Sequence, residues 1–80
     1  MKYVYLIRSK SRPGKTYIRT TQDLEARLKA HNEGSSAHTA RFRPWRLEVA
    51  IAFRQDQKAD DFEEYLKTGS GRAFAKRHFW

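Results

Sequence analysis

The sequence contains no cysteine, which excludes both a disulfide framework and a zinc site with thiolate ligands. Long hydrophobic runs are also absent, since the longest apolar stretches span about five residues, far fewer than a membrane-spanning helix requires. The first eight residues lack the apolar length and the small-residue cleavage site of a signal peptide. These absences favour an intracellular, cytoplasmic protein that does not enter a membrane.

Acidic residues are few compared with basic ones. The 80-residue chain carries 9 aspartates and glutamates against 17 lysines and arginines, which gives a formal charge of +8. A field of this sign attracts polyanions, so DNA or RNA is the expected partner, ahead of anionic lipid. The length allows a single domain, residues 1–80, because a chain this short buries only about 60% of the surface that its unfolded state exposes.

Three stretches have the pattern of β-strands. Residues 3–8 are apolar on both faces, which is typical of a central strand covered on both sides. Residues 16–20 follow the turn signal Pro13-Gly14 and predict the second strand of a hairpin. Residues 45–53 alternate, so we expect a half-buried strand with all the odd-numbered apolar side chains on one face.

Helical patterns fill most of the remaining chain. The pattern predicts helices over residues 22–33, 57–67 and 72–79, a break at 68–71, and a basic loop or short helical turn at 35–44. Thr20 or Thr21 is the expected N-cap of the first helix, and Gly34 is its expected end. The order of elements predicts an α+β fold: a small three-stranded, mostly antiparallel sheet flanked by about three helices.

Three polar residues fall on helix faces that are otherwise apolar. At about 100° per residue, Arg27 and His31 lie on the stripe formed by Leu24 and Leu28. In the second helix, Glu63 lies on the apolar stripe in the same way. A basic residue in that position needs a polar partner, or must extend its charge to water. A carboxylate there needs a salt bridge, with Arg27 as one option, or a metal ion.

Two tyrosines lie on neighbouring predicted strands. Tyr5 and Tyr17, taken singly, fit ordinary packing in a sheet. Taken with the arginine, the histidine and the glutamate on the inward faces of two helices, they indicate one shared pocket. Ordinary packing would require several coincidences to produce the same set.

The order of these features resembles the GIY-YIG nuclease superfamily, in particular the small stand-alone bacterial domains related to the nuclease module of the excision-repair C subunit. The resemblance covers nearly the whole chain. The segments that carry it are Tyr3-Val4-Tyr5, Tyr17-Ile18-Arg19, the helix from Asp23 to Asn32, the segment from Arg43 to Leu47, and the helix from Phe62 to Lys67.

The resemblance implies a role for each residue of the predicted pocket. Tyr5 and Tyr17 would be the motif tyrosines, Arg27 and His31 the active-site residues of the first helix, and Glu63 the ligand of a single Mg²⁺ or Mn²⁺ ion. The implied activity is metal-dependent endonucleolytic hydrolysis of DNA phosphodiester bonds, directed to particular structures or to damage, as in DNA repair or recombination. Tyr5 is the candidate general base with His31 as its proton partner, and His31 is the alternative base.

The sequence departs from the family pattern at two places. Arg19 stands where the family has glycine, and Gly69-Ser70-Gly71-Arg72 stands where many members have an asparagine after the glutamate helix. One alternative is therefore a catalytically weak or inactive nucleic-acid-binding module. Another is a protein-interaction domain with aromatic anchors at Trp45, Phe79 and Trp80.

Basic residues outside the helix motif are the candidates for binding DNA. They are Lys15, Arg19, Lys29, Arg41, Arg43 and Arg46. Each contact between such a residue and a phosphate releases counterions from the DNA. The sequence shows no recognition helix, zinc finger or repeat module, so we expect the shape of the DNA or a partner protein to supply specificity.

Overall fold

The computed structural model describes all 80 residues and contains a three-stranded sheet with four helices. The elements are β1 (Lys2–Ser9), β2 (Thr16–Thr21), α1 (Leu24–Glu33), α2 (Ala37–Ala40), β3 (Trp45–Phe53), α3 (Asp56–Leu66) and α4 (Gly69–His78). The strand order is β2-β1-β3, and both pairings are antiparallel. The predicted α+β fold is confirmed, and β1 is the central strand.

Strand β1 separates two small cores. Val4 and Leu6 face one side, where α3 and α4 pack against them. Tyr5 and Ile7 face the other side, where they form a cluster with Trp45 that α1 partly covers. These four side chains of β1 are fully buried, and each such burial stabilises the fold by about 1.5–3 kcal/mol. The period-2 alternation of one strand therefore supports both cores, as its apolar pattern predicts.

Strand β3 carries a β-bulge that changes which residues face which core. Leu6 pairs with Val49 but Ile7 pairs with Leu47, so Glu48 is the extra residue. Leu47 consequently packs with the Tyr5 cluster, whereas Val49 packs on the opposite side of the sheet. The expectation that all odd-numbered residues of this strand share one face is wrong, because an inserted residue breaks the alternation.

The ends of α1 are set by two residues. The side chain of Asp23 is the N-cap and accepts a hydrogen bond from the amide of Ala26. The predicted threonine caps are wrong, since Thr20 and Thr21 belong to β2. Gly34 ends the helix with a left-handed conformation, φ 80°, as predicted. These two caps fix the length of the helix that carries Arg27 and His31.

Helix α4 begins earlier than the sequence predicts. Residues 69–71 form its first turn instead of a break, because the hydroxyl of Thr68 caps the helix and accepts from the amide of Gly71. A Cβ atom on Gly71 would collide with the backbone of Tyr65 and Leu66. Glycine at this position therefore permits close contact between α4 and the end of α3. None of the four helices is long and apolar enough to span a membrane.

Candidate active site

The centre of the site is a buried hydrogen-bonded chain of three side chains, one from β1 and two from helices. The hydroxyl of Tyr5 lies 2.8 Å from Nε2 of His31, which is in the last turn of α1. The other ring nitrogen of His31, Nδ1, lies 2.7 Å from the hydroxyl of Thr39 in α2. Tyr5 and His31 are fully buried, and Thr39 is 1% exposed. Because hydroxyl groups both donate and accept, this arrangement accommodates either tautomer of the imidazole.

Aromatic rings enclose the imidazole. Tyr17 on β2 meets His31 edge-on, with 5.6 Å between ring centroids. The indole N–H of Trp45 donates to the carbonyl oxygen of Thr39 at 2.8 Å. Two hydrogen bonds between the side chain of Asn32 and the backbone of Trp45 hold β3 against the end of α1. Aromatic and backbone contacts thus fix the ring of His31 and keep it from solvent.

The electrostatic state of the buried chain follows from its burial. Loss of hydration raises the pKa of Tyr5, and the positive charge of Arg27 only partly opposes that shift. Burial also lowers the pKa of His31, and Arg27 lowers it further. At neutral pH, Tyr5 is therefore a protonated phenol and His31 is a neutral imidazole. This pair can accept a proton at Tyr5 while passing the phenolic proton to His31.

Two arginines lie at the open side of this chain. Arg27 is exposed, so of the two options that the sequence left open it takes the second, with its charge extended to water, and that charge still acts on Tyr5 and His31. The side chain extends to water from the edge of the apolar stripe. Arg19 is also exposed, and its Nε donates to the hydroxyl of Tyr17 at 2.8 Å while its guanidinium lies 5.1 Å from that ring centroid. This hydrogen bond is the main cause of the raised pKa of Arg19.

Glu63 approaches the site from α3, on the other side of the sheet from α1. Its side chain is 15% exposed and its Oε2 lies 2.8 Å from Nζ of Lys67, one helical turn away. The salt bridge to Arg27 that the sequence suggested is therefore wrong. The negative charge of Glu63 contributes to the raised pKa of Arg19, as does Tyr5. Arg19 thus lies within electrostatic range of both the carboxylate and the buried tyrosine.

Glu63 is the one candidate metal ligand in the predicted set. No group of three or more histidine, cysteine, aspartate or glutamate side chains is placed to hold a metal ion. A single carboxylate nevertheless fits Mg²⁺, which keeps several of its waters and takes other ligands from phosphate oxygens. Lys67 would have to leave Glu63 for an ion to bind there.

The six basic residues proposed to bind DNA are all exposed. Lys15 and Arg41 extend over the ring of Phe42, at 5.4 and 5.3 Å from its centroid. Arg46 differs from the others, because it forms two hydrogen bonds with Glu48 that offset its charge. The positive surface near Phe42 is therefore the better placed of these regions to meet a phosphate backbone.

Thr39 and Asn32 were not singled out by the sequence pattern, although both position the site. Thr39 lies in a four-residue helix, too short to show a periodic signal. Of the three proposed aromatic anchors for a protein partner, Trp45 is not available, since it is 4% exposed. Phe79 and Trp80 pack against the core and are half-buried.

The geometry brings Tyr5, Tyr17, Arg27 and His31 together, whereas Glu63 bonds to Lys67 and acts on Arg19 only through its charge. No curated protein matches the sequence. The GIY-YIG catalytic domain matches residues 1–77, almost the whole chain. With this match, the α+β fold and the order of its motifs, the chain belongs to the GIY-YIG family of nucleases.

Proposed function

We propose that this chain is a metal-dependent endonuclease that hydrolyses phosphodiester bonds of DNA. The observation that carries the proposal is the 2.8 Å hydrogen bond between Tyr5 and His31, which lies buried beneath the exposed Arg27. A phenol connected to a neutral imidazole can take a proton from water without ever becoming a free phenolate. Damaged or branched DNA, as in repair and recombination, is the proposed substrate.

The proton of the attacking water has a defined route in this mechanism. As the water oxygen bonds to phosphorus and the bond from phosphorus to the leaving sugar oxygen breaks, the proton of the water moves to the hydroxyl of Tyr5. The phenolic proton passes at the same time to Nε2 of His31, so the net transfer is from water to imidazole. The raised pKa of Tyr5 and the lowered pKa of His31 support this relay over a standing tyrosinate. Tyr5 and His31 are both fully buried, so water would reach Tyr5 only after a side chain at the surface moves, and Arg27, whose charge acts on Tyr5, is the candidate.

Arginine side chains stabilise the charge that develops on the phosphate. Arg27 would pair with a non-bridging oxygen, since a guanidinium matches two phosphate oxygens with its planar donors. Tyr17 would orient the phosphate with its hydroxyl once Arg19 exchanges that contact for the DNA. Both arginines are exposed, so they can rearrange as the substrate displaces water from the site.

Glu63 would hold one Mg²⁺ or Mn²⁺ ion, which would polarise the phosphate and stabilise the leaving oxygen. The 2.8 Å salt bridge to Lys67 keeps the carboxylate in place until the ion replaces the lysine. The enzyme would meet DNA in the cytoplasm, the location expected from the sequence. A partner protein would direct the enzyme to its sites, since the chain carries no element that reads bases.

The competing function is a binding module without catalysis, and one contact favours it. Arg19 replaces the family glycine and already occupies the hydroxyl of Tyr17 at 2.8 Å. Tyr17 accepts in this contact and keeps its own proton to donate, but if the Arg19 side chain stays there with DNA bound, it crowds the approach of the phosphate. The chain would then bind DNA in a salt-sensitive manner and leave it uncut.

The deciding experiment incubates the pure protein with supercoiled plasmid and branched oligonucleotides, with Mg²⁺, with Mn²⁺ and with chelator. We expect nicking that requires the metal and is lost in Glu63→Gln. Glu64→Gln, which removes the same charge from the exposed neighbouring position, should cut at the wild-type rate. Salt-sensitive binding without cutting on every substrate would establish the binding module instead.

A further inference from the structure

A cleft of about 390 Å³ lies between the edge strand β2 and the junction of α3 with α4. Its floor is apolar and includes Ile18, Leu66 and Trp80. Its rim carries the cations of Arg19, Lys67 and Arg72, and none of the residues that line it has an acidic side chain. We call this feature the α4 cleft. Its volume lies within the range of about 300–1,000 Å³ that is typical of sites for small organic ligands.

The three cations of the rim differ in how far they are already engaged. Arg19 donates to Tyr17, and Lys67 pairs with Glu63. Arg72 is exposed and has no ion pair within the molecule. Its position in the first turn of α4, at the rim of an apolar cleft, leaves its guanidinium free for an incoming anion. A phosphate group matches that donor geometry.

The combination of an apolar floor with a cationic rim selects a class of ligand. Inorganic phosphate would satisfy the rim but would gain nothing from the floor. A nucleotide satisfies both, because its base is flat and largely apolar on its faces while its phosphate is anionic. A nucleotide of DNA is therefore the ligand that fits the whole of the α4 cleft.

The position of the α4 cleft relates this nucleotide to the proposed cleavage site. Tyr17 and Arg19 line the cleft at the edge of the sheet, between its floor on the α3–α4 face and the Tyr5 cluster on the other face. The ring of Tyr17 meets His31 with 5.6 Å between centroids, and Arg19 lies within electrostatic range of Tyr5. We infer that the α4 cleft takes one unstacked nucleotide directly adjacent to the scissile phosphodiester, an inference that rests on the proposed function. The substrate class follows: DNA in which the nucleotide beside the cut is unpaired, as in a flap, a bulge or a single strand. Unstacking a base costs least where it is mismatched, damaged or already single-stranded.

A nucleotide titration tests the site without relying on catalysis. Amide spectra of ¹⁵N-labelled protein are recorded with thymidine 5′-monophosphate, with thymidine and with inorganic phosphate. We expect the monophosphate to shift the signals of Ile18, Leu66 and the Trp80 indole, and to saturate at about 1 mM. The nucleoside and the phosphate should each bind at least about tenfold more weakly, since each meets only half of the cleft.

A matched pair of variants locates the site on the rim. Arg72→Gln should weaken binding of the monophosphate about tenfold. Arg77→Gln, which makes the same change in charge on the exposed surface of the same helix, should leave it unchanged. The inference is overturned if phosphate alone reproduces the shifts and the affinity, if both variants behave alike, or if the monophosphate shifts nothing at the cleft. The spectra of both variants also report whether they are folded.

Cleavage then separates this inference from the proposed function. Wild-type protein is given a duplex and the same duplex with a short unpaired bulge, and we expect the bulged DNA to be cut about tenfold faster. Arg72→Gln should lose that preference and Arg77→Gln should keep it. If the wild type cuts both substrates equally, the inference fails while the proposed function stands. If it cuts neither, the proposed function fails, and the titration alone decides whether the α4 cleft is a nucleotide site.

Discussion

The candidate site has two halves that differ in burial and in how their polar atoms are paired. The buried chain consists of Tyr5, His31 and Thr39, where both nitrogens of the imidazole are bonded, at 2.8 and 2.7 Å. The other half is a charged surface group that consists of Arg19, Arg27, Glu63 and Lys67. Every residue of the buried chain is at most 1% exposed, whereas both arginines of the charged surface group are exposed. The two halves meet where the charge of Arg27 acts on Tyr5 and His31.

This difference separates what is fixed before DNA binds from what changes when it binds. Hydrogen bonds in a medium of low polarity are strong, and breaking one leaves a buried group unsatisfied, so the geometry of the buried chain is set by folding. Lys67 is exposed and can extend into water, but Glu63 is only 15% exposed, so its carboxylate would need a replacement partner, which an incoming metal ion would supply. In the proposed mechanism, folding would therefore set the proton route in advance, and the surface charges would rearrange around the phosphate.

Removing one hydroxyl of the buried chain should have the largest effect. Tyr5→Phe keeps the ring that packs in the core but removes the hydroxyl that bonds His31 and that we propose accepts the proton of the attacking water, so the cleavage rate should fall about 10²–10⁴-fold. DNA binding should be unchanged. The control is Tyr3→Phe on the same strand, whose hydroxyl has no partner in the buried chain. Equal rates for the wild type and Tyr5→Phe would show that the buried chain does not carry the proton.

Thr39→Val tests whether the far end of the buried chain positions the imidazole. The variant keeps the shape of the side chain but leaves Nδ1 of His31 without a partner. The free energy of unfolding, measured with urea, should therefore fall by about 1–3 kcal/mol. Cleavage should slow about tenfold in kcat with KM unchanged, because the ring is no longer held toward Tyr5. Thr39→Ser restores the hydroxyl and should recover the rate. A loss of stability with an unchanged kcat would reduce Thr39 to a structural role.

The two halves also differed in how well the sequence predicted them. Helical periodicity placed His31 on the buried face of α1, where it lies, because a regular helix preserves its stripe over several turns. The same periodicity placed Arg27 on that face, but a long side chain at the edge of a stripe reaches water. Angular position thus predicts burial for a compact ring better than for an arginine.

Features that depend on distant contacts had no local signal. Thr39 reaches His31 only because α2 folds back onto the end of α1, and nothing within four helical residues indicates this. The bulge at Glu48 appears in the pairing of β3 with β1, whereas the sequence of β3 alternates without interruption. Strand alternation did identify β1 as the central strand, since both of its faces are apolar over consecutive residues.

The buried imidazole should also make the stability of the fold depend on pH. Burial lowers the pKa of His31 below its ordinary value of 6.5, so the unfolded chain binds this proton more readily than the folded one. The contribution of His31 to stability is therefore complete above pH 6.5 and is lost as the pH falls through the lower folded value. For one proton the slope is at most about 1.4 kcal/mol per pH unit. Urea denaturation from pH 8 to about pH 5 measures it, and His31→Gln should flatten this part of the curve while His38→Gln does not.

The smallest effect is expected on the positive surface, where a single contact with DNA is gained or lost. Arg43 has no carboxylate partner, whereas Arg46 gives two hydrogen bonds to Glu48. Arg43→Gln should therefore reduce the slope of log binding constant against log salt by about 0.9, the value for one phosphate contact on duplex DNA. Arg46→Gln should change that slope much less, because Glu48 already offsets its charge. The measurement is fluorescence anisotropy with the inactive Glu63→Gln background at several salt concentrations. Equal changes for the two variants would mean that DNA breaks the pair between Arg46 and Glu48. Pairing with a carboxylate in the free protein would then not decide which arginines of this surface bind DNA.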